Sequence, residues 1–271
     1  MNESDIEWEK WGARDPYYGV LTAERFRRDR ITEADRRDFF QSGYEHVQDV
    51  MTCCQRYFGA DFEPQSVLDF GCGVGRVLIP FAKIAPRALG LDVSRSMLAE
   101  TMKNCVEFAV PHARAALSND GIDSVSEQFD LVHSAITLQH IEVERGLPLI
   151  ERLVSFLAPA GVLVLHVTYG KTHVLGRYGQ PVIAQGRNAR PRRSLLGTLS
   201  QLGAAVAARR NATAASAIPE DDPIMQMNAY NLSQIAYILQ RAGLPGFHAQ
   251  FVDHGGELGA TIYAQRPGAA T

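Results

Sequence analysis

Val67-Leu68-Asp69-Phe70-Gly71-Cys72-Gly73-Val74-Gly75-Arg76 is the stretch that decides the fold, because an apolar strand there runs into three alternating glycines. Glycines let the backbone approach a ligand closely, and the helix that they open offers unpaired amide groups. Asp69, just before the glycines, can hold a cationic group of a ligand near the turn. The spacing differs from the dinucleotide-binding GxGxxG, and the Lys and Ser/Thr of a phosphate-binding loop are absent. The stretch therefore predicts a ligand-binding turn between a strand and a helix.

A second carboxylate ends the next apolar run. Asp92 closes Leu89-Gly90-Leu91-Asp92, 17 residues after Gly75. An acid at the end of the second strand can accept both hydroxyls of a ribose. Taken alone, the acid would more often cap the helix that follows it, and the glycine turn alone is also a weak signal. Together they predict a nucleoside site.

From residue 64 onward short apolar runs alternate with helical stretches, which is typical of βα units that build a parallel sheet. Pro80 is expected to bend the first of these helices. Two runs separated by Gly255-Gly256 indicate a closing antiparallel hairpin. The predicted strands are 66–70, 87–92, 129–134, 161–168, 247–253 and 258–265. The predicted helices are 73–85, 94–107, 143–157 and 231–242.

Two further segments have a different composition. Residues 1–31 mix aromatic side chains with many charges and predict an irregular aromatic arm. An amphipathic helix follows, which a capping box opens at Thr32 and which ends near Gly59. Between residues 171 and 219 the chain holds eight basic residues and no Asp or Glu. Two interpretations stay open for that segment: a solvated loop with one helix around 195–208, or a lid over an anionic or polar substrate.

Composition narrows the function classes. The 271 residues carry 27 Lys and Arg against 30 Asp and Glu, and a net charge of −3 is too weak to steer the molecule toward nucleic acid or an anionic membrane. No uncharged apolar run reaches the roughly 18 residues that a bilayer requires, and the acidic N-terminus lacks the pattern of a signal peptide. The four cysteines form no CxxC pair. We therefore expect a globular, cytoplasmic protein.

The motifs resemble the class I S-adenosylmethionine-dependent methyltransferases, whose first motif is matched by Asp69 to Gly75 and whose ribose-binding acid is matched by Asp92. The resemblance implies an α/β, Rossmann-like sheet of seven strands with the last antiparallel. It places the S-adenosylmethionine-binding core at 60–170, after an arm and helix at 1–59 and before a lid at 171–222 and a closing helix and hairpin at 223–271. The cofactor contacts expected are Asp69, Gly71, Gly73, Gly75, Asp92, Asp120, Gly121 and Tyr18.

The same resemblance points to catalytic histidines. His140, in the loop after the fourth strand, falls where several small-molecule methyltransferases of this class have a histidine near the transferring methyl. An imidazole there can take a hydroxyl proton during the attack, because its reference pKa lies near neutrality. The alternative is that His140 only orders the loop. His166 is the second candidate base, since it ends the fifth strand where open α/β sheets place their ligands, whereas His133 is expected to be structural.

A softer resemblance concerns the acceptor. Asp15-Pro16-Tyr17-Tyr18, Leu138-Gln139-His140-Ile141, His166-Val167-Thr168-Tyr169 and Met227-Asn228-Ala229-Tyr230-Asn231 are similar to stretches of saccharide O-methyltransferases, including the methylmannose-polysaccharide type. This favours a sugar hydroxyl as acceptor. The rivals are an N-methyltransferase acting on an amine and a protein that binds S-adenosylmethionine without transfer; an Asn/Asp-Pro-Pro-Tyr/Phe motif of nucleic-acid methyltransferases is absent. The substrate contacts expected are Tyr17, Glu142, Tyr169, Tyr230 and Asn231.

A group of acidic residues raises the question of a metal-binding site. Oxygen ligands suit Mg²⁺, and some sugar methyltransferases use that ion. The acids that could gather into such a site, with one histidine beside them, are Glu142, Asp221, Asp222, Asp253 and His254. Their spacing is not diagnostic, so a Mg²⁺ site and a solvated surface both stay open. The sequence also selects no oligomeric state.

Overall fold

The computed structural model describes residues 2–171 and 222–268. At its centre lies a sheet of strands β1 (Ser66–Phe70), β2 (Arg87–Asp92), β3 (Arg114–Leu117), β4 (Phe129–Ser134), β5 (Leu157–Lys171), β6 (His248–Asp253) and β7 (Glu257–Gln265). The strand order is β3-β2-β1-β4-β5-β7-β6, with β1 to β5 parallel and β7 antiparallel to both of its neighbours. The predicted Rossmann-like sheet of seven strands is confirmed.

Helices flank the sheet and precede it. They are α1 (Glu3–Arg14), α2 (Pro16–Val20), α3 (Glu33–Phe58), α4 (Leu78–Ile84), α5 (Arg95–Glu107), α6 (Val143–Ser155) and α7 (Leu232–Arg241). The capping box at the start of α3 forms as expected, since the Thr32 hydroxyl accepts the Asp35 amide at 3.1 Å. Single 3₁₀ turns occur at Glu24–Phe26 and Leu138–His140.

Three expectations need correction. The arm is helical over residues 3–20 rather than irregular. Helix α4 begins at Leu78, five residues later than predicted, because the glycine turn occupies the start of the predicted helix. Pro80 therefore lies in the first turn of α4, where its missing N–H leaves no intrahelical bond unmade. The helix predicted around 195–208 and most of the predicted lid lie outside the described residues.

The two faces of the sheet bury different helices. On one face Val67, Leu131 and Val164 pack with residues of α3 and α4, among them Val50 and Phe81. On the other face the sheet packs against α6 and α7. Parallel registers place Asp69 of β1 level with His133 of β4, both on the α3 side. The carboxyl ends of β1, β2 and β4 therefore meet at one edge, which is where open α/β sheets bind ligands.

The N-terminal arm is fixed to that edge by polar contacts. Glu9 of α1 accepts hydrogen bonds from the Ser94 hydroxyl at 2.8 Å and from the Ser96 hydroxyl at 2.6 Å, so it caps the start of α5 from outside the helix. Arg145 of α6 pairs with Asp5 at 2.7 Å. These contacts hold α1 across the carboxyl edge of the sheet. Within the described residues, every helix is too short or too polar to span a bilayer.

Because α3 packs closely on the glycine turn, a substitution at Gly43 should change the stability of the fold. A Cβ on Gly43 would overlap the carbonyl oxygen of Arg76, and a backbone atom cannot move aside as a side chain could. In an ordinary helix, Gly→Ala stabilises by about 1 kcal/mol. We expect Gly43→Ala to lower the free energy of unfolding in urea by about 1–3 kcal/mol, because overpacking outweighs helix propensity.

Gly246→Ala is the matched control, since a Cβ there meets nothing within 4 Å. Its free energy of unfolding should stay within about 0.5 kcal/mol of the wild-type value. A Gly43→Ala protein more stable than the wild type would show that α3 does not approach the turn as closely as described.

Candidate active site

The glycine turn after β1 has the backbone that only glycine adopts readily. Gly71, Gly73 and Gly75 have φ values of +79°, +55° and +87°. A Cβ on Gly71 would overlap the Thr137 side chain, so the loop after β4 packs directly on the turn. The Gly71 amide donates to the Leu91 carbonyl at 2.7 Å, which ties the turn to β2. The turn is thus held between the ends of the neighbouring strands.

A cavity lies above this turn, and its volume of about 990 Å³ includes the solvent at its open mouth. The sheet edge lines it with residues 69–73, Asp92, Ser118, Asn119, His133 and His140. The arm closes it with Ser4, Asp5, Trp8, Gly19 and Val20. The cavity therefore brings together five of the predicted site residues, Asp69, Gly71, Gly73, Asp92 and His140, and it also includes His133, which was expected to be structural.

Asp92 is fixed at the end of β2 by backbone donors. Its carboxylate accepts the Gly73 amide at 2.9 Å and the Ser94 amide at 2.9 Å. Burial raises the pKa of Asp92 to about 6, although these hydrogen bonds oppose the rise. The carboxylate thus joins the glycine turn to the start of α5 and also lies on the cavity wall.

Asp69 belongs to a buried chain of polar side chains. Its Oδ1 accepts from His133 Nδ1 at 2.8 Å, and His133 Nε2 lies 2.9 Å from His46 Nε2. In the neutral form of His133, whose Nδ1 carries the proton, Nε2 accepts the hydrogen bond from His46 Nε2. Burial lowers the pKa of His46 to about 2. Asp69 Oδ2 is buried and has no hydrogen-bond partner among the described groups, so one carboxylate oxygen is free at the cavity wall.

His140 has a single consistent tautomer. The Thr168 hydroxyl donates to Gln139 Oε1 at 2.9 Å, so Gln139 Nε2 is a donor, and it lies 3.3 Å from His140 Nε2. His140 Nδ1 therefore carries the proton and donates to the Gln226 carbonyl at 2.8 Å. Burial lowers the pKa of His140 to about 4. The ring is neutral near pH 7, with the lone pair on Nε2, and Trp8 of the arm packs against it at a centroid distance of 4.9 Å.

The two arm tyrosines contact other parts of the protein. The Tyr17 hydroxyl is buried 3.0 Å from the side-chain oxygens of Glu100 and Asn104. The Arg27 guanidinium lies over the Tyr18 ring, with its Cζ 3.5 Å from the ring centroid. Neither tyrosine is among the residues that line the cavity, whose arm wall includes the next two residues, Gly19 and Val20. The tyrosines therefore anchor the arm, and the contacts expected of Tyr18 with cofactor and of Tyr17 with substrate stay predictions.

Asp120 and Gly121 also lie off the cavity wall. The exposed Asp120 carboxylate accepts from Arg145 Nε at 2.6 Å, and the Gly121 carbonyl accepts from Arg152 at 2.9 Å. Ser118 and Asn119 line the cavity in their place. These two residues directly precede Asp120 in the same loop, and the cofactor contacts expected of Asp120 and Gly121 stay predictions. Gly75 lies behind the turn, where a Cβ would contact Thr101 and Ile79.

Three of the four remaining predicted substrate residues have partners within the protein. The buried Tyr230 hydroxyl donates to the Ile141 carbonyl at 2.8 Å, and the Asn231 side chain caps α7 by accepting the Ser233 amide. Tyr169 packs against Phe251. Glu142 is exposed just before α6. None of the four lines the cavity, and their contacts with substrate stay predictions.

His166 is buried on the α3 side of β5, two residues beyond the level of Asp69 and His133. Both of its ring nitrogens lack a hydrogen-bond partner among the described groups, and His254 packs against the ring at 5.2 Å. Burial lowers the pKa of His166 to about 4. The ring does not line the cavity.

The residues considered for Mg²⁺ do not gather. Asp222 is paired with Arg27 at 3.1 Å, and the Asp253 carboxylate accepts the Gly256 amide at 2.6 Å. Across residues 2–171 and 222–268 there is no group of three or more His, Cys, Asp or Glu side chains arranged to hold a metal ion. Asp221 lies outside the described residues. The described residues do not fit a Mg²⁺ site.

A family profile described as a methyltransferase domain matches residues 45–244. The chain belongs to this methyltransferase family. Among curated relatives, the cyclopropane mycolic acid synthase MmaA2 of Mycobacterium tuberculosis is 30% identical over 108 residues. The aligned residues make up 40% of this chain and 37% of the synthase, so the chain matches well under half the length of that relative.

Solved structures agree with the class I fold. Magnesium protoporphyrin IX methyltransferase from Synechocystis, with bound S-adenosylmethionine, has a TM-score of 0.56 at 16% identity, covering 98% of both chains. The amino pentose methyltransferase CalS10 from Micromonospora echinaspora has a TM-score of 0.54 at 17% identity, covering 83% of this chain and 91% of CalS10. The methyltransferase therefore has the fold of the class I S-adenosylmethionine-dependent enzymes.

The raised pKa of Asp92 predicts how ligand affinity depends on pH. Hydroxyl donors bind the carboxylate better than the carboxyl, so binding favours the ionised form. As the pH falls from 7.5 to 5, Asp92 in the free protein takes up a proton around pH 6. We expect calorimetry to show S-adenosylhomocysteine binding about tenfold more weakly at pH 5 than at pH 7.5.

Asp92→Asn should bind more weakly and lose this pH dependence, while exposed Asp61→Asn should keep the wild-type profile. An equally steep profile in Asp92→Asn would assign the titration to another group.

Proposed function

We propose that this methyltransferase transfers the methyl group of S-adenosylmethionine to a hydroxyl of a small polar acceptor, a sugar or oligosaccharide. The observation that carries the proposal is the neutral His140 ring on the wall of a cavity that also holds Asp69 and Asp92. Asp92 suits a nucleoside, and His140 suits a hydroxyl that must lose a proton. The proposal includes catalysis as well as binding.

The cavity residues fit the cofactor. Asp92 would accept the ribose hydroxyls, and Asp69 Oδ2, buried without a partner, would accept an ammonium group. Gly71 and Gly73 would let the backbone approach the ligand, since neither carries a Cβ. S-adenosylmethionine supplies, when bound, a methyl group on a positively charged sulfur that is already activated for transfer.

His140 would remove the proton of the acceptor hydroxyl. Its pKa of about 4 keeps the ring unprotonated at neutral pH, and it also makes the ring a weaker base than an imidazole that titrates near neutrality. As Nε2 takes up the proton, the bond from Nδ1 to the Gln226 carbonyl stabilises the charge on the ring. Trp8 and the rest of the arm exclude water from this side of the cavity. Gln139, 3.3 Å from Nε2, makes a long bond that an acceptor hydroxyl can displace.

His166 stays the second candidate base. It is buried at the carboxyl end of β5 with both nitrogens unpartnered among the described groups. Its ring lies off the cavity wall, which favours His140. A sugar acceptor is supported by the softer sequence resemblance and by the fold shared with the amino pentose methyltransferase CalS10.

An amine acceptor is the second candidate function. The Gln139 amide already contacts His140 Nε2, so the imidazole could serve only to order the loop after β4. An amine is itself nucleophilic and depends less on a general base. The two candidates therefore differ in what the loss of His140 does to the rate.

We expect His140→Ala to bind S-adenosylhomocysteine with a Kd within about threefold of wild type. Its rate of methyl transfer to a hydroxyl acceptor should fall about 10²- to 10⁴-fold, the usual contribution of a general base. The rate is measured with radiolabelled S-adenosylmethionine and a panel of mono- and oligosaccharides, with amino sugars as a separate arm.

His248→Ala is the matched control, because His248 is exposed and stacks on Tyr57 at the far edge strand. It should retain the wild-type rate. An unchanged rate in His140→Ala would remove His140 from the mechanism, and transfer confined to amino groups would favour the amine acceptor.

A further inference from the structure

Residues 222–230 form a strap that connects the N-terminal arm to the loop after β4. The strap has no regular secondary structure and leads into α7. At its first residue the buried Asp222 carboxylate pairs with the Arg27 guanidinium, with Oδ1 3.1 Å from Nη1. Two residues later the Ile224 amide donates to the Glu7 carboxylate of α1 at 2.7 Å. This end of the strap is therefore fastened to the arm.

The other half of the strap is bonded to the loop that carries His140. The Gln226 carbonyl accepts the proton on His140 Nδ1 at 2.8 Å. The Asn228 amide donates to the Gln139 carbonyl at 2.6 Å, and the Asn228 side chain donates to the same carbonyl at 3.2 Å. The strap thus supplies the acceptor for His140 Nδ1 and also holds the residue before it.

The acceptor at Nδ1 decides which nitrogen of the ring is free. A carbonyl can only accept a hydrogen bond, so its place beside Nδ1 puts the proton there and leaves the lone pair on Nε2. Because this acceptor is a backbone group, it stays in place only while the strap does. Gln226 lies four residues after Asp222, a reach of about 14 Å at most, so the anchored end limits where the carbonyl can move.

The stretch of α1 that anchors the strap also contacts the ring itself. Trp8 follows Glu7 in sequence and packs edge-on against His140 at a centroid distance of 4.9 Å. The buried pair of Asp222 and Arg27 suits an anchor. Desolvation offsets much of the attraction in such a pair, so it adds little net stability, yet its hydrogen bonds fix two segments in one arrangement.

We propose that Asp222 and Glu7 are positioning residues for His140: by fastening the strap to the arm, they keep the Gln226 carbonyl at Nδ1 and the lone pair on Nε2. The inference rests on the proposed function, in which His140 is the base, and it extends that function to two residues that do not line the cavity. Neither residue touches the reacting atoms, and both act through the strap.

The ring nitrogen signals of protein labelled with ¹⁵N-histidine report the tautomer directly, and comparison with His140→Ala assigns them. The wild-type ring should carry its proton on Nδ1 at pH 7.5. In Asp222→Asn, which keeps the size of the side chain but removes its charge, both tautomers should be populated. Its kcat should fall about tenfold, because a general base then spends less time correctly placed. Its KM for S-adenosylmethionine should change less than about threefold.

A pair of substitutions at Glu7 tests the second anchor. Glu7→Gln keeps an oxygen that can accept the Ile224 amide, and it should retain the wild-type ring signals and a kcat within about twofold of wild type. Glu7→Ala removes the acceptor and should change both in the same direction as Asp222→Asn. If Asp222→Asn does not fold, this pair decides alone.

Asp38→Asn is the matched control, because the exposed Asp38 carboxylate pairs with Arg25 at 2.9 Å on the surface. Its ring signals and kcat should equal those of wild type. Circular dichroism and thermal melting report whether each variant folds.

Wild-type ring signals and kcat in a folded Asp222→Asn or Glu7→Ala protein would overturn the inference. So would a loss of kcat in Glu7→Gln as large as in Glu7→Ala. An unchanged rate in His140→Ala would instead overturn the catalytic role of His140 in the proposed function, and the ring signals would still show whether the strap sets its tautomer.

Discussion

The hydrogen bonds that Asp92 accepts from the Gly73 and Ser94 amides hold three parts of the chain in one geometry. They join the turn after β1, the end of β2 and the start of α5. The turn lies outside regular secondary structure, so its amide groups depend on partners such as this carboxylate for their hydrogen bonds. The same carboxylate lies on the cavity wall, so the group that shapes the site is also available to its ligand.

The position of the N-terminal arm also depends on the start of α5, which Asp92 holds. Glu9 caps α5 at the helix start that Asp92 also holds, and Asp5 pairs with Arg145 of α6 on the other side of the cavity. Trp8 lies between these two anchors and contacts His140. The position of the arm over the site therefore follows from polar contacts with helices that the strand ends have already placed.

Patterns that are local in sequence predicted much of the fold. The capping box at Thr32, the apolar runs of β1, β2 and β4 and the glycine turn each depend on neighbouring residues, and the structure has them where the sequence predicts them. The helices of the arm were missed, because contacts such as those of Glu9 with α5 are distant in sequence. For the same reason the sequence did not show that the Tyr17 hydroxyl contacts Glu100 and Asn104.

The candidate site was predicted in part, and the omissions share a cause. Glycines and acids at strand ends are visible as motifs, whereas Arg76, which lines the cavity, and His46 gain their surroundings only when α3 packs on the sheet. A charge between Gly75 and an apolar run, and a histidine beside buried Val47, were the signals available.

The burial of charged groups at this site also affects the stability of the fold. The folded pKa of Asp92 is raised, so its contribution to stability is present at low pH and is lost as the pH rises through about 6. At neutral pH the protein carries the buried Asp92 carboxylate and the buried Arg76 guanidinium at a cost to folding. The cavity they share is where a ligand can offset that cost, which ties the stability of this edge of the sheet to what it binds.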